Sequence, residues 1–558
     1  MSDLHKDYLK ETFAADGTLT GVSFEIPPDF NFAYDVVDRI AREQPGRRAL
    51  EWCNVAGEER TLSFEDVARE SDRAASFFRS LGIGRGDRVM LILKRHYQFW
   101  FAAMALHKLG AVCIPATNQL QVKDLVYRFE AASVKAVVCT AEGEVAANVE
   151  KAVESSPGVQ VRILVRGERE GWLSYVRGTA EAVPFVRPTG ADAPVVSDTM
   201  LLYFTSGTTG LPKMVSHDYS YPLGHIVTAK HWHNVVPDGL HFTVSETGWA
   251  KSVWGKLYGQ WLMEAGIFVY DFDRFVPAEL LSRIEKYRIT TFCAPPTIYR
   301  FLIKEDLTKY DLSSLRYATI AGEALNPEVF EQFLKATGLK LMEGFGQTET
   351  TVQIANFPWM EPKPGSMGRP NPMYDILLAD EDGNAVRAGQ VGEICIRTDK
   401  GRPVGMFGGY LMNEQLTRKV WHDGVYHTGD MAWRDEDGHF WYVGRDDDII
   451  KSSGYRIGPF EVESVLMEHP AVLECAVIGV PDPVRTQVVK ATVVPARGYV
   501  PSEALALELQ EYVKTHTAPY KYPRILEFAT ELPKTISGKI RRTEIRARHK
   551  DQDKGDPS

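Results

Sequence analysis

The segment 201–213, with the sequence LLYFTSGTTGLPK, constrains this chain more than any other stretch. Its apolar start predicts a buried strand, and the small and hydroxyl residues that follow predict a loop ending in a lysine. Glycines let a ligand approach the backbone closely, and hydroxyl groups with a cation suit the oxygens of a polyphosphate. The predicted phosphate loop consists of Thr205, Ser206, Gly207, Thr208, Thr209, Gly210, Leu211, Pro212 and Lys213.

The spacing of this loop excludes a Walker A motif, because the pattern G-x-x-x-x-G-K-[ST] is absent. A solvated turn of serine, threonine and glycine is the alternative that the segment alone leaves open.

The net charge of −10 over 558 residues argues against nucleic acid as the main partner, since phosphate backbones recruit basic surfaces. The six cysteines include no C-x-x-C pair, and the histidines at 422, 427 and 439 lack metal-ligand spacing. The sequence therefore predicts reduced core cysteines and argues against a zinc site.

Strand and helix patterns alternate over the first two thirds of the chain. Helices are predicted at 64–81, 97–108, 122–132 and 144–153, and strands at 88–93, 110–114, 135–139 and 159–166. A second round begins at residue 200 as strand, phosphate loop and helix, with later strands at 268–270, 291–294 and 317–321. Alternation at this spacing indicates parallel, doubly wound sheets.

The pattern of apolar residues changes after residue 365, where the helical periodicity becomes weaker. Short strands at 375–378 and 391–397 predict an antiparallel, barrel-like piece up to residue 443. The charged, glycine-bearing segment 444–458 is a predicted linker. Beyond it, a helix at 459–467, strands at 474–478 and 487–495 and a helix at 502–515 predict a small α+β domain.

Six further motifs follow in chain order. They are SETGWAKS at 245–252, AGEA at 321–324, EGFGQTET at 343–350, YHTGD at 426–430, GRDDDIIKSSGYR at 444–456 and PKTISGKIRR at 533–542. With the phosphate loop, they resemble the adenylate-forming superfamily, which includes acyl-CoA synthetases, peptide-synthetase adenylation domains and firefly luciferase. Three stretches, SETGWAKS, EGFGQTET and SGYRIGPFEVE at 453–463, look like those of the medium-chain acyl-CoA synthetases.

The resemblance implies a particular domain organisation within an α/β fold. The large N-terminal domain would hold two doubly wound sheets plus a distorted β-barrel, and the small C-terminal domain would be a mobile α+β unit. The predicted boundaries are an adenylation domain at 1–444, a hinge at 445–458 that includes Asp447, and a lid domain with the catalytic lysine at 459–558.

The resemblance also implies an ATP site. Besides the phosphate loop, its residues would be Gly322, Glu323, Ala324, Glu343, Gly344, Phe345, Gly346, Gln347, Thr348, Asp430, Arg445, Arg456 and Lys539. In this site Asp430 would accept the ribose hydroxyls, and the backbone at Gly344 and Gly346 would approach adenine and the α-phosphate. Glu349 and Thr348 would hold Mg²⁺, a hard cation that takes oxygen ligands. The catalytic residues would be Lys539, Thr348 and Glu349.

The acid and coenzyme A sites follow from the same resemblance. The acyl substrate would meet Trp249, Lys251, Trp254 and Thr348; an aromatic helix start packed in the core is the alternative for this region. Coenzyme A would be bound by Gln119, Ser453, Gly454, Tyr455, Arg485, Lys514, Tyr522, Pro523 and Arg524.

The predicted activity is that of an ATP-dependent acyl-CoA synthetase. It would convert a carboxylic acid into acyl-AMP with release of pyrophosphate, and then into acyl-CoA with release of AMP. Because Trp254 would shorten the acyl tunnel, we expect short- to medium-chain acids, including branched ones. An aryl-acid CoA ligase, a carrier-loading adenylation enzyme and a non-catalytic adenylate-binding scaffold are the alternatives.

The expected partners are the acid, ATP and CoA, in a monomer or homodimer that serves fatty acid and lipid metabolism. The N-terminus lacks the basic-then-apolar order of a secretory signal. The apolar window 97–116 contains His107 and Lys108, which argues against a membrane span. Mitochondrial members of the family carry a targeting peptide, whereas this chain starts almost at the fold. The prediction is therefore a prokaryotic, cytoplasmic enzyme.

Overall fold

The structure is a computed structural model that describes residues 3–205, 211–323, 325–453, 455–534 and 539–555, with side chains as far as residue 549. Several predicted site residues lie outside the described residues. They are Ser206, Gly207, Thr208, Thr209, Gly210 and Ala324 of the ATP site and Gly454 of the coenzyme A site.

The strands predicted from the sequence have counterparts in the structure, which also contains strands that were not predicted. In chain order they are β1 (Leu9–Phe13), β2 (Leu19–Phe24), β3 (Arg48–Asn54), β4 (Glu59–Ser63), β5 (Arg88–Ile92), β6 (Val112–Pro115), β7 (Ala136–Thr140), β8 (Val161–Val165), β9 (Leu173–Ser174), β10 (Thr199–Thr205), β11 (Lys213–Asp218), β12 (Leu240–Thr243), β13 (Gly266–Asp271), β14 (Thr291–Ala294), β15 (Tyr317–Ile320), β16 (Leu341–Gly346), β17 (Val352–Ala355), β18 (Arg369–Pro370), β19 (Asp375–Ala379), β20 (Val391–Arg397), β21 (Trp421–His422), β22 (Val425–Arg434), β23 (Phe440–Arg445), β24 (Ile450–Ser452), β25 (Tyr455–Ile457), β26 (Val472–Asp482), β27 (Thr486–Pro495) and β28 (Ile525–Phe528).

The helices alternate with these strands over the first 340 residues. They are α1 (Asp38–Glu43), α2 (Phe64–Ser80), α3 (Gln98–Leu109), α4 (Val122–Ala131), α5 (Val145–Glu154), α6 (Tyr175–Ala180), α7 (Tyr221–Val227), α8 (Ala250–Gly255), α9 (Tyr258–Leu262), α10 (Pro277–Lys286), α11 (Pro296–Leu302), α12 (Pro327–Thr337), α13 (Glu414–Val420), α14 (Pro459–Glu468), α15 (Glu503–His516) and α16 (Arg542–Gly555). Local signals explain their ends. Ser63 and Asp66 form a capping box at the start of α2, and the left-handed Gly110 ends α3.

The first large sheet has the strand order β11-β10-β6-β5-β7-β8-β9. Its pairs from β10 to β9 are parallel, as the alternating pattern predicts, but β11 runs antiparallel to β10. The phosphate loop therefore joins two antiparallel neighbours, and a strand precedes the next helix. This corrects the predicted order of strand, loop and helix.

The second large sheet has the order β18-β17-β16-β15-β14-β12-β13-β3-β4. Its centre, from β16 to β3, is parallel, and its edges are antiparallel. The AGEA motif directly follows β15, and EGFGQTET begins within β16. These two motifs thus lie at carboxyl ends of parallel strands, where open α/β sheets bind ligands.

Besides the two-stranded antiparallel sheet of β1 and β2, two smaller, mainly antiparallel sheets lie in the later part of the chain. One has the order β19-β20-β22-β21 with β23 beside β22, where the sequence predicts a barrel-like piece. The other, in the C-terminal part, has the order β25-β24-β27-β26 with β28 parallel to β27. Within the predicted linker 444–458, β24 and β25 pair as a hairpin on this sheet, and the turn Asp446–Asp448 follows β23.

The core joins the two large sheets. Trp52 of β3, Val89 of β5 and Trp100 of α3 belong to one buried apolar cluster. Every residue of α3 is buried, as expected for a helix that is largely apolar on all sides. The six cysteines are buried and free, as predicted. Within the described residues, no helix combines the length and apolar character needed to cross a bilayer.

Candidate active site

Lys213 marks the end of the predicted phosphate loop. It is the register partner of Thr205, so the two described ends of the loop lie side by side on neighbouring strands. Its ammonium group lies 5.2 Å from the centre of the Tyr410 ring, within range of a cation–π interaction. Burial lowers the pKa of Lys213, while the carboxylate of Glu349 acts in the opposite direction. A cation is thus held at the base of the loop.

Glu349, the predicted Mg²⁺ ligand, is buried beside the same tyrosine. The Tyr410 hydroxyl donates a hydrogen bond of 2.8 Å to its carboxylate, and the Phe407 N–H donates to its backbone oxygen at 2.7 Å. Burial and the carboxylate of Glu349 together raise the pKa of Tyr410. The carboxylate of Glu349 is a buried, hard oxygen donor, and Thr348, the preceding residue, carries a hydroxyl group; oxygen donors are the ligands that Mg²⁺ requires.

Asp430, the predicted ribose ligand, lies in a network of polar side chains. It accepts hydrogen bonds from Gln347 at 2.5 Å and from the Tyr442 hydroxyl at 3.1 Å, and it pairs with Arg445 at 3.4 Å. Burial raises the pKa of this carboxyl group, while Arg445, Gln347, Tyr442 and Lys539 lower it. Gly429 has a φ of +72°, and a Cβ there would lie 2.6 Å from Nη2 of Arg445, so only glycine fits beside this network.

Lys539 is the predicted catalytic lysine. Its charge lowers the pKa of Asp430 and also that of Lys251, so it lies within electrostatic range of both. Lys251 itself donates a hydrogen bond of 2.5 Å to the Ala321 oxygen, at the start of the AGEA motif. Burial is the main cause of the lowered pKa of Lys251. Lys539 of the last motif therefore lies within electrostatic range of one residue from each of two earlier motifs.

The predicted acyl residues lie on and beside α8. Trp249 is half-buried and precedes the helix, whereas Trp254 is buried near its end. A Cβ on Gly346 would lie 2.5 Å from Cη2 of Trp254, and a Cβ on Gly344 would lie 2.4 Å from Cε2 of Trp232. The two glycines of EGFGQTET are thus required by tryptophan packing, a steric reason that the sequence prediction did not contain.

Known proteins share this arrangement over almost the whole chain. The model of the AMP-binding enzyme family matches residues 37–411, and that of the AMP-binding enzyme C-terminal domain matches residues 461–539. The chain belongs to the AMP-binding enzyme family. The mitochondrial acyl-coenzyme A synthetase ACSM3 of Mus musculus is 41% identical, over 98% of this chain and 96% of that protein. The human mitochondrial ACSM4 is 42% identical, over 97% of this chain and 95% of that protein.

A solved member of the family supports the same assignment. The anthranilate CoA ligase AuaEII, in complex with anthranoyl-AMP, superposes with a TM-score of 0.86 at 29% identity, covering 94% of this chain and 98% of its own. The predicted fold class and the family of acyl-CoA synthetases are confirmed. ATP and CoA are therefore co-substrates of an AMP-forming acid–CoA ligase.

The predicted compartment was wrong. The curated relatives with which this chain aligns over nearly its full length carry mitochondrial names, which point to mitochondria rather than to the cytoplasm. The prediction relied on where the sequence begins, and that position carries no information about the compartment.

The predicted coenzyme A residues of this family member fall into several groups. The Ser453 N–H donates to the Arg485 oxygen at 2.9 Å, and the Arg485 guanidinium donates to the Ser453 hydroxyl at 3.3 Å. Arg524 lies over the ring of Tyr522 at 4.9 Å and is followed by β28, while Pro523 is buried. Lys514 pairs with Glu511 on α15, and Gln119 is an exposed residue after β6.

Three further residues of the predicted site have side-chain or backbone partners within the protein. Arg456, predicted as an ATP contact, forms an ion pair with Glu381 in the turn after β19. The predicted hinge residue Asp447 lies 3.7 Å from Arg445, and its backbone oxygen accepts a hydrogen bond from Arg546 at 3.3 Å. In the predicted AGEA site, Glu323 accepts a hydrogen bond from Thr297 at 3.0 Å.

Several residues of the site were not predicted. Tyr410 links Glu349 to Lys213, and the Tyr426 hydroxyl donates to Gln347 at 2.8 Å. Tyr520 stacks on the predicted coenzyme A residue Tyr455 with ring centres 4.0 Å apart. The available signal for Tyr410 was the glycine pair before it, because Gly409 has a φ of +124°, a conformation that favours glycine. The packing partners of Gln347 and Tyr455 come from distant segments and left no local signal.

Proposed function

We propose that this protein activates short- to medium-chain carboxylic acids, including branched ones, as acyl-adenylates and transfers the acyl group to coenzyme A. The observation that carries the proposal is that Lys539 lies within electrostatic range of Asp430 and Lys251, since its charge lowers the pKa of both groups. These two residues belong to the predicted ribose and acid sites. The proposed units are an N-terminal domain at 1–444, a hinge at 445–458 and a lid at 459–558.

In the first half-reaction, a carboxylate oxygen of the acid attacks the α-phosphorus of ATP, and the bond to the pyrophosphate oxygen breaks. Asp430 accepts the ribose hydroxyls, and Lys213 and the phosphate loop bind the outer phosphates. Lys539 stabilises the negative charge that develops between the carboxylate and the α-phosphate. Preorganised cations at such a position contribute through charge stabilisation and require no covalent intermediate on the protein.

Glu349 and Thr348 are the residues that would hold Mg²⁺. The ion would neutralise phosphate charge when it is bound. The buried carboxylate of Glu349 and its hydrogen bond from Tyr410 support this assignment, because the hydrogen bond fixes the orientation of a hard oxygen donor.

In the second half-reaction, the sulfur of coenzyme A attacks the acyl carbon, AMP leaves, and the thiol proton passes to water. We propose that the small domain rotates about Asp447 between the two steps. Lys539 then leaves the site, and the surface around Ser453, Tyr455 and Arg485 replaces it. The proximity of Ser453 and Arg485 supports a common role for these two residues.

The acid class rests on Trp254. Its indole is buried against Gly346 and lies perpendicular to Trp232, with ring centres 6.1 Å apart. Such a wall leaves little room for a long chain. Aryl acids are the second candidate, because the solved ligase AuaEII binds anthranoyl-AMP. A pyrophosphate-release assay should separate the two, with butyrate, isobutyrate, hexanoate and octanoate set against benzoate and anthranilate.

The expected result is the highest kcat/KM with an aliphatic acid of this range. A preference for benzoate or anthranilate would instead show that the protein is an aryl-acid ligase. Replacing CoA by a phosphopantetheinylated carrier protein tests the acceptor, and faster transfer to the carrier would contradict the proposed CoA thioester product.

A further inference from the structure

Three potential metal ligands lie together on the antiparallel sheet next to the predicted ribose site. Cys395 of β20 and His427 of β22 are direct partners in the strand register, so their side chains share one face. Glu393 lies two residues before Cys395, beyond a bulge in the pairing of these strands, and its carboxylate reaches His427. The sequence argued against zinc because no cysteine or histidine pair has ligand spacing. The structure supplies the cluster from residues 32 apart along the chain.

The ligand atoms of these three side chains converge on one point. Nδ1 of His427 lies 2.8 Å from the Glu393 carboxylate and 3.6 Å from Sγ of Cys395. The candidate donor atoms all lie within 4.8 Å of one another. In a tetrahedral zinc site the bond lengths to sulfur and nitrogen place these two atoms roughly 3.5 Å apart. The Cys395–His427 distance therefore already fits a bound ion.

The surroundings of the cluster allow an ion to enter. Cys395 is buried at the base, whereas the side chains of His427 and Glu393 are 27% and 23% exposed. His422 stacks on His427 with ring centres 4.6 Å apart, and this contact limits rotation of the ligating ring. Solvent thus reaches two of the three ligands, and the third is protected.

We propose that Glu393, Cys395 and His427 bind a Zn²⁺ ion, with water as the fourth ligand. Sulfur, imidazole nitrogen and carboxylate oxygen together are a donor set that borderline metals prefer over Mg²⁺ or Ca²⁺. Binding replaces the hydrogen bond between His427 and Glu393 with two metal–ligand bonds. The Cys395 thiol loses its proton to solvent as the sulfur coordinates, as metal binding to a thiol requires.

This site is distinct from the proposed Mg²⁺ position at Glu349, yet it adjoins the ATP site. The second oxygen of Glu393 accepts a hydrogen bond of 2.8 Å from the N–H of Gly429, the residue before Asp430. The ion would thus be held by the same carboxylate that fixes the turn of the predicted ribose ligand.

Cobalt titration of the full-length protein, in the absence of nucleotide and acid, tests the proposal. Co²⁺ should bind with one equivalent and produce a near-ultraviolet band from thiolate-to-cobalt charge transfer, and Zn²⁺ should displace it while Mg²⁺ should not. Cys395→Ser should abolish the band, and His427→Gln and Glu393→Gln should each weaken binding by at least about tenfold.

Cys475→Ser is the matched control, because Cys475 is another buried cysteine whose thiol donates a hydrogen bond to the Glu463 oxygen, which serine can replace. It should retain the band and the affinity. Circular dichroism of each variant establishes that it is folded, and His427→Gln decides the question if Cys395→Ser does not fold. Absence of a charge-transfer band in the wild-type protein, or a band that survives in Cys395→Ser, would overturn the proposal.

Discussion

Trp254 packs against Gly346 so closely that a Cβ at residue 346 would lie 2.5 Å from Cη2 of the indole. The tryptophan comes from α8 and the glycine from the end of β16, so the contact joins the predicted acyl segment to the predicted adenine segment. Because the acid must react beside the bound nucleotide, the position of this indole affects the length of the acyl chain that can be bound.

Replacing Trp254 by glycine should shift the preference toward longer acids. The substitution removes a large apolar side chain, and each buried methylene of a longer substrate then contributes about 0.8 kcal/mol. In a pyrophosphate-release assay, kcat/KM for octanoate relative to butyrate should rise by at least about tenfold. An unchanged ratio would show that Trp254 does not line the acyl pocket.

Trp254→Phe is the control for this experiment. Phenylalanine retains most of the buried apolar surface, so its acid profile should lie closer to that of the wild type. The glycine variant should also lose about 3–5 kcal/mol of stability, as is typical when a buried tryptophan is truncated, and thermal unfolding will measure this cost.

Tyr410→Phe should raise the Mg²⁺ concentration that the enzyme needs. The substitution removes the hydrogen bond to Glu349 and keeps the ring beneath Lys213. A hydrogen bond to a charged group contributes about 1.5–3 kcal/mol, so kcat/KM for ATP should fall by at least about tenfold at limiting Mg²⁺. Initial rates over a series of Mg²⁺ concentrations provide the measurement.

Tyr299→Phe is matched to this variant. Its hydroxyl is buried and donates a hydrogen bond of 3.0 Å from α11 to the oxygen of Thr319 in β15 of the second sheet. It should lose stability without a change in Mg²⁺ dependence. If Tyr410→Phe behaved in the same way, the assignment of Glu349 as the ion ligand would lose its support.

Glu343 should make the stability of the fold depend on pH. Burial raises the pKa of this carboxyl group from 4.5 to about 8. The folded protein thus retains a proton that the unfolded chain loses above pH 4.5. The stabilisation from this group is complete below pH 4.5 and is lost progressively until the folded group ionises near pH 8.

Glu343→Gln should remove this dependence, since the amide cannot ionise but can still accept the hydrogen bond from the Leu325 N–H. Relative to the wild type, the variant should gain up to about 1.4 kcal/mol per pH unit across that window. Thermal unfolding of the nucleotide-free proteins, with the exposed Glu331→Gln as control, is the measurement. Parallel profiles for wild type and Glu343→Gln would show that Glu343 is ionised in the fold.

The sequence predicted the alternating elements well because their hydrophobic periods are strong. The strand at 88–93 and the helix at 122–132, for example, agree with β5 and α4 to within one residue at either end. The hairpin of β24 and β25 was predicted as a linker, since its two strands have three residues each and offer no alternating pattern. Its pairing depends on β27, more than thirty residues away.

The site was predictable to the extent that contiguous motifs carry it. Glu349, Asp430 and Lys539 come from such motifs, and Asp430 lies within electrostatic range of Lys539. Tyr410 was missed because its role depends on two segments that lie far from it in the chain. The cluster of Glu393, Cys395 and His427 was missed for a related reason: strand register brings it together, and register cannot be read from ligand spacing.

Lys539→Ala tests the central claim most directly, with Lys534→Ala as the matched control. Lys534 is an exposed lysine of the same segment that pairs with Glu474. Adenylation is measured as the release of pyrophosphate. Thioester formation is measured separately, as the conversion of pre-made acyl-adenylate and CoA to acyl-CoA. The account predicts that Lys539→Ala reduces adenylation by at least about a hundredfold while thioester formation stays within a fewfold of the wild type, and that Lys534→Ala leaves both rates unchanged. Full adenylation activity in Lys539→Ala, or equal loss of both half-reactions, would contradict it.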